Sequence, residues 1–136
     1  GSSLSVGGSI IATGNIVSDA ISKIASSYAE GSASFAYGDT IVSASSHAST
    51  SGNPQVVIDV CVMPTANNVE SLKLYRDATA IATFDFTATF PAIPFAFTVA
   101  DSPGDTSAHT YALKQNYSGA SRSFTNRSIV VATHKR

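Results

Sequence analysis

Asp101, Ser102, Asp105 and His109 fall within nine residues of one another, in the stretch VADSPGDTSAHTYALKQNY from Val99 to Tyr117. Side chains of these types can support three kinds of chemistry. A serine beside a carboxylate-oriented histidine can attack an acyl group. Two carboxylates can flank a glycosidic bond as acid and base. Asp101 and Asp105 could also offer oxygens to a calcium ion.

Each of these needs more than closeness along the chain. A triad is defined by geometry, and YSGAS (Tyr117 to Ser121) has neither the residue pattern nor the strand-turn-helix setting of a nucleophile elbow. The other histidines are His47, in a serine-rich loop, and His134, near the C-terminal end. The acids are Asp19, Glu30, Asp39, Asp59, Glu70, Asp77, Asp85, Asp101 and Asp105, and most stand beside turn signals, where a carboxylate caps backbone donors. Asp59 and Asp85 lie inside apolar runs, so each is expected to face solvent or to meet a cation such as Arg76 or Lys73. No CxxC, HxH or HExxH spacing occurs. Pro103 and Gly104 at the centre of DSPGD fit a β-turn better than a calcium loop. The sequence therefore assigns no catalytic residue, no metal ligand and no cofactor.

The elements that must position these residues follow from composition and periodicity. With 136 residues, 43% of them hydrophobic, the chain is long enough for one domain with its own core. Charged residues make up 12%, about half the usual share, and Ser, Thr, Ala and Gly take their place. A net charge of -1 with no dense Lys/Arg run argues against nucleic acid or an anionic membrane surface as partner. No apolar run approaches the roughly 18 residues that a membrane-spanning helix needs, so no membrane insertion is expected. Cys61, within VVIDVCVMP, is expected to be a small buried hydrophobe, and a single cysteine permits no internal disulfide. The opening Gly1-Ser2-Ser3, without a Met, reads as a tag remnant, and the chain is expected to be a piece of a longer protein. The sequons at Asn116 and Asn126 matter only in a eukaryotic secretory pathway.

Two parts are expected, residues 1–30 as an N-terminal stalk or linker and residues 31–136 as a β-sandwich head. In the first part Val17, Ile21, Ile24 and Tyr28 follow steps of four, three and four, the spacing of a heptad seam. Asn15 is a plausible helix start and Gly31 a stop. The segment is expected to be either a short trimeric coiled coil, with those four residues as the interface, or a single amphipathic helix on its own domain. From Ser32 the period becomes two. SASFAYG and TIVSAS read as a hairpin about Gly38-Asp39, and QVVIDVCVM as a core strand. SLKLYR and TAIATF read as a hairpin about Asp77-Ala78, with Leu72 and Leu74 on one side and Lys73 and Tyr75 on the other. Phe84, Phe86, Phe90, Phe95 and Phe97 are expected to supply most of the large core volume. About nine or ten short strands with long polar loops point to an antiparallel sandwich or jelly roll.

The C-terminal half carries a resemblance. PFAFTVADSPGDTSAHTYALKQN, followed by NRSIVVATHKR, resembles the end of the head domains of bacteriophage tail fibres, through Phe95, Phe97, Asp101, Pro103, Gly104, Thr110, Tyr111, Leu113, Arg127, Ser128, Lys135 and Arg136. SLKLYRDATAIATF is similar to the hairpin that precedes it in such heads, so the likeness spans about Ser71 to Arg136. Thr133-His134 departs from the apolar-acidic pair of that pattern. The resemblance implies a TNF-like jelly roll, assembled as a homotrimer on the virion. Such a head would bind a host-surface glycan or outer-membrane receptor and catalyse nothing. For a glycan, loop residues able to stack on a sugar or to bond its hydroxyls are Asn67, Asn68, Asn116, Tyr117 and Arg122. Two other roles stay open: a trimerisation or decoration module without a receptor, and a hydrolase acting on host polysaccharide.

Overall fold

The computed structural model describes residues 22–49, 52–86, 88–89 and 91–134. They form nine strands: β1 (Ser22–Ala29), β2 (Ala33–Phe35), β3 (Thr40–Ser45), β4 (Gln55–Pro64), β5 (Ser71–Arg76), β6 (Thr79–Asp85), β7 (Phe95–Asp101), β8 (Thr110–Gln115) and β9 (Arg122–His134). One sheet runs β1-β9-β4-β7, with β2 also on β9, and the other runs β3-β8-β5-β6. Every pairing is antiparallel. The fold is the expected all-β sandwich.

Alternation explains why these segments extend and face each other. In β4, Val56, Ile58, Val60 and Val62 point inward, and in β9 Ile129 and Val131 do so. They meet Leu72 and Leu74 of β5 and Tyr111 and Leu113 of β8, all without exposed surface. β-branched side chains suit such a half-buried pleat. β9 carries one extra residue against β4, where the pairing jumps from Cys61–Ser128 to Met63–Thr125. Asn126 takes φ 46° there, a left-handed conformation that asparagine tolerates better than most residues. The bulge turns Arg127 inward, with its guanidinium 5.1 Å from the Phe35 ring centre and Nη2 donating to the Gly31 carbonyl at 3.0 Å.

Several expectations are corrected. Ser22–Ala29 is a strand paired along its whole length with β9, not a helix, so the sandwich extends N-terminal of Gly31. The four-residue step from Ile24 to Tyr28 fits a period of two as well as a helical one, and SKIASSYA is rich in serine, a weak helix former. Ile24 and Tyr28 thus sit on an exposed strand, while Val17 and Ile21 lie outside the described residues. SASFAYG and TIVSAS make no hairpin, because β2 joins β9 in one sheet and β3 joins β8 in the other. The turn at Gly38, φ 87°, carries the chain across. The expected hairpin about Asp77 does form. Among the described residues the fully buried aromatics are Tyr111 and Phe124, whereas Phe35, Phe84, Phe95 and Phe97 pack partly buried against the core, and Phe90 lies outside the described residues.

The two sheets differ on their outer faces. Register places Ile24, Ser26 and Tyr28 of β1 outward beside Ser128, Val130 and Ala132 of β9. Val57, Asp59 and Cys61 of β4 continue that face, followed by Ala96, Thr98 and Ala100 of β7. Cys61 is therefore half-buried on an outer face and not in the core. Asp59 is exposed, as expected, and accepts a hydrogen bond from Thr98 Oγ1. Outward on the other sheet are Lys73, Tyr75 and Lys114 among hydroxyls such as Ser43 and Thr83.

The inter-sheet core sets the stability of this arrangement. Leu113→Ala, which removes a fully buried side chain facing the opposite sheet, is expected to lower unfolding free energy by about 3 kcal/mol in chemical denaturation.

Candidate binding site at the loop end of the sandwich

The strands end in two groups of loops. Connections β3–β4, β5–β6 and β7–β8 gather at one end, where Ser22, Gln55, Asp101 and His134 also lie. Connections β2–β3, β4–β5, β6–β7 and β8–β9 gather at the other.

The first end contains the cluster that could have done chemistry. His109 Nδ1 is 2.7 Å from Asp77 Oδ2, and its Nε2 is 2.8 Å from Asp105 Oδ1. Both ring nitrogens are thus held by carboxylates, and neither faces a serine as a triad base must. Ser46 Oγ instead accepts from the His109 backbone N–H at 2.9 Å, and Ser46 N–H donates to the His109 carbonyl at 2.8 Å. Hydrogen bonding to Asp77, then to Asp105, raises the His109 pKa above the usual imidazole value against the opposing effect of burial. Asp77 is held below the carboxylate range chiefly by the His109 hydrogen bond, and Asp105 chiefly by the Ser107 N–H.

Asp101 does a different job. It accepts from Arg76 Nη1 at 2.9 and 3.0 Å and from the Tyr111 hydroxyl at 2.7 Å. These residues come from β7, β5 and β8, so the trio ties the two sheets together. Burial, reinforced by Asp101, pushes the Tyr111 phenol well above its ordinary range. Asp101 and Asp105 have separate hydrogen-bond partners. Gly104, φ 82°, supplies the left-handed residue that the DSPGD turn requires. This end is a loop clasp.

Hydrogen bonds knit the opposite loops into one platform. Gly38 N–H donates to the Gln115 carbonyl (2.8 Å), Asn116 N–H to the Ser71 carbonyl (2.8 Å), Phe86 N–H to the Glu70 carbonyl (2.9 Å) and Thr65 N–H to the Ser123 carbonyl (3.0 Å). Buried Gln115 shapes the β8–β9 loop, its Nε2 donating to the carbonyls of Tyr117 and Ala120, each at 3.0 Å. All five residues read from the sequence as receptor contacts fall on this end.

Their side chains are not equally available. Asn67 is exposed, and its Oδ1 accepts from the Ala92 N–H at 2.7 Å, which pins the β6–β7 loop. Half-buried Asn116 donates through Nδ2 to Ser71 Oγ at 2.8 Å. Asn68 is half-buried beside Val69, whose carbonyl accepts from Arg122 Nε at 3.1 Å. The Arg122 guanidinium lies 4.1 Å from the Tyr117 ring centre. Gly119 packs so close to that ring that a Cβ there would fall 2.6 Å from it. Tyr117 is therefore an internal support of the loop.

Two residues missed in the sequence stand out at the same end. Tyr37, in the β2–β3 turn, is 62% exposed. An aromatic beside the turn residues Gly38-Asp39 was the signal for it, masked by the alternation of SASFAYG. Glu70 is 1% exposed, its Oε2 has no hydrogen-bond partner among the described residues, and Arg122 Nε stands 3.8 Å away. Burial raises its pKa to about 7, with Arg122 opposing. Nothing in NNVES marks Glu70 apart from the turn acids.

No protein-family model and no curated protein matches this sequence. Among solved structures, the chain is similar to the CBM36-1 domain of a multidomain xylanase from the hindgut metagenome of Trinervitermes trinervoides. Identity is 14% and the TM-score 0.51, over 81% of this chain and 95% of that one. It is also similar to Eiger TNF from S. frugiperda, at 11% identity and a TM-score of 0.50, over 83% of this chain and 93% of that one. At such identities the likeness shows a shared jelly-roll sandwich.

Two pH effects follow. Glu70 favours its protonated form in the folded chain, so its contribution to stability is complete below about pH 4.5 and is lost as pH rises through about 7. Glu70→Gln should stabilise the fold at pH 8 by about 1–2 kcal/mol and change little at pH 4.5 in denaturant titrations. His109 has the same sign, whereas Asp77 and Asp105 contribute only above the carboxylate range. His109→Ala should therefore lower the melting temperature more at pH 6 than at pH 9.

Proposed function

We propose that this chain is the receptor-binding head of a bacteriophage tail fibre, a homotrimer exposed on the virion that attaches to a host-surface glycan or outer-membrane receptor without catalysing a reaction. The observation that carries this reading is the polarity of the sandwich. β1 begins at the His109 end, where residues 1–21 join it, so the connected loops with Tyr37, Asn67 and Arg122 occupy the end away from that junction. A head on a stalk presents its binding loops in this way. The low-charge, hydroxyl-rich composition suits a neutral, polyhydroxylated ligand.

Within the platform Tyr37 is the stacking surface, since an exposed ring can lie on a sugar face while the Tyr117 ring is occupied by Arg122 and Gly119. Asn67 and Asn68 stand where amides can bond sugar hydroxyls. Three copies of one weak site give adsorption through avidity, with no need for a tight single contact.

Glycan-array and whole-cell binding by the purified chain test this reading. Binding is expected, and Tyr37→Ala should weaken it by roughly tenfold or more while the melting temperature stays unchanged. An assembled chain that binds neither cells nor glycans would contradict receptor binding and favour a decoration module. Release of reducing sugars from host envelope material would instead favour a hydrolase.

A further inference from the structure

The outer face of the β1-β9-β4-β7 sheet is built unlike a free surface. Of the twelve outward positions at the centre of its four strands, Asp59 alone is charged, with Ser22, Gln55 and His134 outward at the rim. Most of the remainder are aliphatic or small, among them Val57, Val130 and the alanines at 96, 100 and 132. The opposite sheet is more polar outside, with two lysines, a tyrosine and hydroxyls around Ala112. A solvated sheet face normally alternates apolar inside with polar outside, whereas this one also carries aliphatic, aromatic or small apolar side chains at most of its central outward positions.

The face also carries both halves of a fit. A depression of about 370 Å³ opens around Asp59 and is lined in part by Cys61, Ala96, Ser128 and Val130. Two strands away, roughly 10 Å by strand spacing, Ile24 and Tyr28 project from β1 with 65% and 61% of their surface exposed. Protrusion and hollow on one face complement each other in a second copy of the same chain. The Tyr28 hydroxyl, a donor within 3.3 Å of Glu30 Oε1 in the single chain, would in that arrangement arrive beside the single carboxylate on the face.

We propose that copies of this chain assemble through the outer face of the β1-β9-β4-β7 sheet, with Ile24 and Tyr28 of one copy seated in the Asp59 depression of the next. This rests on the homotrimer reading above and supplies its interface. Ile24 and Tyr28 keep a role in assembly, as strand residues on a sheet face and not as a coiled-coil seam. A twofold that seats each Tyr28 in the other copy's depression also keeps the two Asp59 carboxylates about two strand spacings apart, so it is the homotrimer reading that selects a head-to-tail ring.

Light scattering on the full chain, at several concentrations, tests the assignment. The wild type is expected at three times the chain mass of 14.0 kDa. Val130→Lys, which places a charge in the depression, and Tyr28→Ala, which removes an exposed ring without touching the core, should raise the dissociation constant by at least about tenfold. Thr83→Lys, on the outer face of the other sheet, should leave the mass unchanged. Circular dichroism and melting of Tyr28→Ala should match the wild type, so that loss of assembly is separated from loss of fold. A trimer that both face variants preserve would overturn this interface and leave the homotrimer standing. A wild type that stays at 14.0 kDa throughout, whether because another segment or another protein covers the face, would overturn both.

Discussion

Strand β9 is the constraint on which the rest of the molecule depends. It pairs with β4 along one side and with β1 and then β2 along the other, so one thirteen-residue strand sets the register of three neighbours. Its alternation sends Ile129 and Val131 into the core and Val130 and Ala132 out, and the bulge at Asn126 re-aims the chain so that Phe124 and Arg127 also turn inward. A slip of one residue would exchange the two faces, which buried side chains on one of them forbid. Because both sets are apolar, the strand that fixes the core also makes the middle of the outer face apolar.

The ends of the sandwich divide the remaining work. At one, Asp101 joins Arg76 to Tyr111 between the sheets, and His109 ties the turn at Asp77 to the loop at Asp105. At the other, backbone hydrogen bonds link four connections into a platform that presents Tyr37 and Asn67. Of the residues that suggest an active site in the sequence, Asp101 is held by Arg76 and Tyr111, and both ring nitrogens of His109 are held by Asp77 and Asp105, so neither nitrogen is turned toward a serine. Glu70 is a buried carboxyl whose nearest cation, Arg122, also supports the loop.

Much of this was legible in the sequence where short β-branched runs are bounded by turn signals. Val56 to Val62 and Ile129 to Val131 read as strands for that reason, and the sandwich class follows from many such runs. Legibility failed where two periods coincide, as between Ile24 and Tyr28, whose helix-like step is also a strand step. It failed again at SASFAYGD, because a turn signal does not say whether the next strand returns to the same sheet. In the loops, residue type singled out five candidates that the fold gathers at one end, but which of their side chains are available depends on their neighbours. Gly119 and Arg122 enclose the Tyr117 ring, while Tyr37, read as a strand residue, emerges on an exposed turn. The burial of Glu70 has no local signature, since long-range packing produces it.

The central claim is that this sandwich works as an assembly of copies joined through the β1-β9-β4-β7 face. Cys61 lies on that face beside the depression and reports on it directly. The rate at which a small alkylating reagent modifies Cys61 should be much lower in the assembled wild type than in the Tyr28→Ala chain at the same concentration. Equal rates in the two chains, with the wild type assembled, would contradict the account.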